Sequence, residues 1–225
     1  MAMEIKLKWV DPVRRQPARE SGAGIVLSPH GFSPMDPPDA YAPPGMERVT
    51  TGEMHLFLRR YVDEHVPFLE EVNAFEDALS AIQKTGYTRE LDARLRHSFS
   101  FFDREFIPHH RREEAGLFPL LHARLIASGE HGRGEASATT AIDVMMDEHT
   151  KAIQLAAVIL NFLGLAFRFP DEKTRLIVLD AALEQGRNLV ELLRLHIFRE
   201  DNVVFSQAHR LISGGEFDEL QSSQR

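Results

Sequence analysis

Two stretches of this chain repeat one arrangement of histidine, arginine and acid. His109 opens HHRREEAGLF and His196 opens HIFREDNVVF. In both, Arg follows at +3 (Arg112, Arg199), Glu at +4 (Glu113, Glu200) and a second acid at +5 (Glu114, Asp201). Phe comes at +9 (Phe118, Phe205) and another His at +13 (His122, His209). A second repeated pair precedes them: Asp63-Glu64-His65 and Asp147-Glu148-His149. His65 lies 44 residues before His109, and His149 lies 47 before His196. Each half therefore reads as a helical hairpin whose first helix supplies one His and whose second supplies His-x-x-x-Glu.

On a helix, residues i and i+4 are separated by about 40° in azimuth and about 6 Å in rise. His109 with Glu113, and His196 with Glu200, thus reach one centre from one face. Apolar neighbours turn that face inward, where His and Glu are costly unless paired or bound to a cation. Four His and two Glu crowd one ion. They suit two, which share Glu113 and Glu200 as bridges with an oxo or hydroxo group between them. The chain has no cysteine, so iron–sulfur clusters, thiolate zinc sites and disulfides are excluded. A nitrogen and oxygen donor set suits iron or manganese, with zinc possible.

His110 leaves two readings open: a ligand to the second metal, or a hydrogen-bonding group at the bundle edge. It lies 100° from His109 but only about 60° from Glu113. The metal set is therefore His65, His109, His110, Glu113, His149, His196 and Glu200. His122 and His209 are expected to face outward. His97 is read as a bystander, and His30, His55 and His131 as surface residues.

These residues must be held by helices. Period-3.6 patterning runs from Thr50 to Ser213. A first helix begins near Thr50 or Thr51 and ends at Gly86, with Pro67 kinking or splitting it. A second starts near Thr88 and runs to about Ala127, interrupted at Pro108. The third spans about Thr140 to Phe169. Its stretch Ala152–Phe169 reads as a buried helix, because Gln154, Asn161 and Arg168 oppose a membrane span. The fourth runs from about Asp171 to Ser213, with Gly186 as a weak point and Gly214 and Gly215 closing it. The expectation is an all-α protein, an antiparallel up-down four-helix bundle over residues 50–213, with a short tail at 214–225. Eight of the twelve prolines fall in residues 1–49, which read as an irregular Pro/Gly-rich arm.

The segment His109–Pro119, H-x-x-x-E-E-x-x-L-F-P, resembles the second-helix signature of the hemerythrin-like, HHE-type cation-binding family. His65, Glu148-His149 and His196 with Glu200 are similar to its other helix ligands. The resemblance covers roughly Thr50 to Ser213. It implies a four-helix bundle around a non-haem di-iron centre bridged by Glu113 and Glu200, with roles in reversible O2 binding, iron or oxygen sensing, or handling nitric oxide or peroxide. The chain departs from the oxygen carriers. Met145 and Ile153 stand where they have a second third-helix His, and His196-x3-Glu200 stands where they have His-x4-Asp. It also lacks the cysteine-bearing segment of the family's iron-centre repair proteins.

A formal net charge of −8 gives no basic stripe for nucleic acid or an anionic membrane. The N-terminus MAMEIKLKWV is too polar for a signal segment, so the expected location is cytoplasmic. No substrate pocket is legible, so binding or sensing of a small ligand such as O2 or NO is favoured over catalysis on peroxide or O2, or a metal-stabilised interaction module. The partner is a small diatomic molecule, and no protein partner is legible. The Phe99, Phe102 and Phe106 stripe reads as a ligand pocket or as plain core.

Overall fold

The structure is a computed structural model and describes residues 48–130 and 139–223. The proline-rich arm, His30 and His131 lie outside the described residues. The described residues are helical, without strands. We number the helices α1 (Leu56–Thr85), α2 (89–128), α3 (Ala141–Ala166), α4 (172–211) and α5 (Gly214–Ser223). Helix α1 packs on α2 and α4, α3 packs on α4 and the end of α2, and α5 packs on α1.

The helix ends follow from local chemistry. Thr88 and Asp171 cap α2 and α4, and Thr140 forms a capping box with Asp143 at the start of α3. Gly86 and Gly129 end α1 and α2 at φ of 88° and 85°, a region that a side chain disfavours. Helix α1 starts later than expected. Thr50 closes a turn with Glu53 instead, and His55 becomes the cap, accepting from the Phe57 N–H at 3.2 Å. Pro67 does not split α1, which is one helix of 30 residues.

Pro108 does not interrupt α2 either. Helix α2 absorbs its prolines with π turns at Phe102–Phe106 and Glu113–Leu117, where the N–H groups of Ile107 and Phe118 reach back five residues. Pro108 and Pro119 follow directly. A third π turn, Glu200–Val204, lies in α4. Ser206 stands there where the repeat has Pro119, so proline is not what the turn requires.

The core falls into two apolar clusters. One gathers Phe68, Val72, Phe75, Leu95, Phe106, Ala156, Leu189 and Ile197, and the other Leu58, Tyr61, Leu117, Leu121, Met145 and Phe205. Along all four long helices the proposed ligands fall between them, so a polar layer is sealed by hydrocarbon on both sides.

Four further expectations are corrected. Residues 214–223 form a helix, not a tail, because Phe217 is buried and stacks on His55 at 4.9 Å. That contact leaves His55 half-buried rather than free on the surface. Gly186 is no weak point: a Cβ there would sit 2.7 Å from Leu79 Cδ1, so its absence lets α1 and α4 approach closely. Helix α3 is buried on one face only. Ile153, Leu160 and Leu165 are exposed, and by length and composition α3 alone among the described residues could cross a membrane.

Candidate metal centre

All seven residues singled out from the sequence come together. His65, His109, His110, Glu113, His149, His196 and Glu200 are each at most 4% exposed. Their donor atoms form overlapping groups within 4.8 Å: His65, His109 and Glu200; Glu113, His149, His196 and Glu200; and His110, His149 and His196.

The inner distances are short. His65 Nε2 lies 3.2 Å from His109 Nε2, and His149 Nε2 lies 3.1 Å from His196 Nε2. Glu113 has oxygens 3.3 Å from His109 Nε2 and 3.6 Å from His149 Nε2. Glu200 has oxygens 3.2 Å from both His65 Nε2 and His196 Nε2. None of these four carboxylate oxygens makes an aligned hydrogen bond, although Glu113 and Glu200 are fully buried. Two orphaned carboxylates facing four imidazole nitrogens are what a pair of cations would satisfy, so the residues fit the group.

The outer nitrogens explain the rest of the repeat. Each Nδ1 faces a carboxylate: His65 to Asp201 at 2.8 Å, His109 to Glu64 at 2.8 Å, His149 to Glu114 at 2.7 Å and His196 to Glu148 at 3.0 Å. An ionised carboxylate only accepts, so each Nδ1 carries the hydrogen and the Nε2 lone pair is left for a cation. Arg112 pairs with Glu64, and Arg199 with Glu148. The +5 acid thus steadies an imidazole of another helix, and the +3 Arg steadies the His of its own helix through a Glu on a neighbouring one. Sequence reasoning missed the roles of Glu64, Glu114, Glu148, Asp201, Arg112 and Arg199, although the repeat had marked each of them.

His110 breaks this two-fold pattern, because Ile197 occupies its equivalent position. Its ring stacks on His149 with centroids 3.7 Å apart and planes 8° apart. Its Nδ1 is buried without a hydrogen-bond partner. The remaining histidines stand apart. His97 is exposed beside Glu71. His122 and His209 are half-buried rather than outward, and His122 Nδ1 meets Thr140 Oγ1 at 2.9 Å.

Without a cation, the charges must be shared out. Burial and the adjacent Glu200 push the Glu113 carboxyl up. Burial also acts against ionised Glu200, but the His196 charge and the closeness of the His196 and His65 imidazoles outweigh it and hold Glu200 well below the usual range. Burial opposes charge on His65 and His109 too. Asp201 and Glu200 nevertheless raise His65 to about 10, and Glu113 and Glu64 raise His109 to about 9. Burial and the neighbouring His196 charge lower His149 to about 3.

The Hemerythrin HHE cation binding domain model matches residues 56–208. The curated proteins and the solved structures yielded no match. Residues 56–208 take in all seven inward ligand candidates and the acids that hold them, and on that match the chain belongs to the hemerythrin HHE cation-binding family.

Proposed function

We propose that the chain holds two iron ions in a non-haem centre and binds or senses a small diatomic ligand there. The observation that carries this is the pair of buried, orphaned carboxylates, Glu113 and Glu200, facing four imidazoles, with His110 grouped beside His149 and His196. In this reading α1 to α4 form an antiparallel up-down bundle. His65 and His109 hold one ion. His149, His196 and His110 hold the other. Glu113 and Glu200 would be shared between the two, alongside an oxo or hydroxo group.

The unequal imidazole count supports a binding role. Three imidazoles toward one ion and two toward the other would leave the two-imidazole ion with room for an outside ligand. The iron pair would supply reversible redox and ligand-binding chemistry. The protein's part is to fix the donors, hold the protons on Nδ1 and exclude water with the two apolar clusters. The donor set also accepts manganese or zinc.

Metal analysis with absorption spectroscopy of aerobically purified protein tests this. The expected result is two irons per chain with oxo-bridge bands that change on exposure to O2 or NO. His109→Ala and Glu113→Ala should each remove most of the metal. Unchanged occupancy in both variants would overturn the assignment, and a spectrum indifferent to either gas would overturn the diatomic role.

A further inference from the structure

A cavity of about 30 Å³ lies between α1, α2 and α4, beside the proposed metal centre. Its walls include Val72, Phe75, Phe99, Phe102, Phe106 and Val190. The aromatic stripe read in the sequence as pocket or plain core therefore does line a pocket. The polar groups at its margin are Glu71 and Ser98, and Ser98 Oγ donates to Glu71 Oε1 at 2.5 Å. Exposed His97 sits 3.5 Å beyond, on the other Glu71 oxygen, which marks this as the solvent end. A buried water needs roughly 10–15 Å³ and two to four polar partners. The space is sufficient and the partners are lacking, so the interior favours an apolar guest over water.

The far wall lies next to the His/Glu cluster. Phe106 is 6.0 Å from the His110 ring and 4.2 Å from Phe68, centroid to centroid. Phe68 in turn is 5.0 Å from His109 and 6.1 Å from His65. One ring, Phe106, separates the cavity from His110, and Phe106 with Phe68 separates it from His109 and His65. Phe102 and Phe106 are also the first and last residues of a π turn, a device that recurs where a helix is reshaped for function. That turn carries no member of the His/Glu cluster, and both of its end residues face the cavity.

We infer that this cavity is a binding and transit site for a small apolar molecule of the class of dioxygen or nitric oxide, leading from the Glu71–Ser98 end to the His/Glu cluster. The inference rests on the reading that the cluster receives such a molecule. Phe106 and Phe68 form the last partition, and their ring motions set the rate of passage.

Xenon is the probe, because it occupies dry apolar cavities without any metal chemistry. The full chain, metal-free and iron-loaded, is placed under xenon pressure, and methyl NMR shifts are followed. Saturable shifts at Val72, Val190 and Leu193 in both forms are expected. Val72→Leu and Val190→Leu, made separately so that one misfolding variant does not decide the matter, should abolish these shifts. Stopped-flow association of O2 and of NO, measured separately, should slow tenfold or more in the same variants. Their iron content and absorption spectrum should stay the same. Phe106→Leu should speed association several-fold. Absence of xenon from the wild type overturns the cavity as a site. Unchanged association in variants that have lost xenon overturns its role in transit. Xenon binding in a wild type whose iron reacts with neither gas overturns the diatomic reading of the centre, and the transit role with it.

Discussion

The two arginine–glutamate pairs outside the cluster occupy the same repeat positions, yet they should respond very differently to the same substitution. Glu148 and Arg199 are 7% and 8% exposed, whereas Glu64 and Arg112 are 26% and 30% exposed. The acceptor geometry also differs. Glu148 receives Arg199 on Oε1 and His196 Nδ1 on Oε2. Glutamine offers one oxygen, so Glu148→Gln must turn an NH2 group toward one of those two donors. Glu64 receives both His109 Nδ1 and Arg112 on Oε2, and only Arg60 on Oε1 at 3.2 Å. Glu64→Gln can keep its oxygen inward and present the NH2 toward exposed Arg60. Disrupting a buried ion pair costs ~3–5 kcal/mol, and an exposed one contributes ~0–1 kcal/mol. For a domain of this size each kcal/mol moves the Tm by roughly 2–4 °C. Thermal unfolding of metal-free protein should therefore drop by ~6–20 °C for Glu148→Gln and by at most ~4 °C for Glu64→Gln. Both substitutions weaken the hold on an imidazole, so both should also reduce metal affinity by about 10–100-fold. Equal losses of Tm, or a larger loss for Glu64→Gln, would refute the idea that burial and acceptor geometry set the cost.

Removing the metal should lower the Tm by ~10 °C or more, because ions at 100 times their Kd stabilise by ~2.7 kcal/mol per site; calorimetry with and without a chelator checks this. In the metal-free protein, His65 and His109 have pKa values raised to about 10 and about 9, above the unfolded value near 6.5. Their contribution to stability is then full below pH ~6.5 and lost as pH rises through 9 to 10, so unfolding titrations should show an alkaline decline that metal loading suppresses. Loading at pH 7.5 should also release protons from both residues, measurable with a pH indicator in weak buffer. His110→Leu should leave one ion tightly held and weaken the other at least tenfold, read as metal content after dialysis; two tightly held ions would exclude His110 as a ligand. Gly186→Ala should destabilise by up to ~2 kcal/mol despite its gain in helix propensity, because the new Cβ meets buried Leu79. Leu79→Val in the same chain should relieve part of that loss in denaturant unfolding.

Spacing along the chain was enough to bring out the seven ligand candidates, six of them in two matching sets of three. Helical periodicity and a duplicated His-x-x-x-Glu suffice for this, because azimuth on a helix depends only on residue spacing. The helix starts near Thr88, Thr140 and Asp171 were legible too, because the signals that begin a helix are local. Contacts between helices were not. The bonds from Asp201 to His65 and from Glu114 to His149 join residues 136 and 35 positions apart, and no spacing rule reaches across two hairpins. The π turns at Glu113 and Glu200 shift the azimuth of everything after them, so a uniform 3.6-residue period could not place His122 and His209, which are half-buried. The stacking of His110 on His149, the fit of Leu79 against Gly186 and the cavity behind Phe106 were decided by how neighbouring helices share space, and only the assembled tertiary structure contains that information.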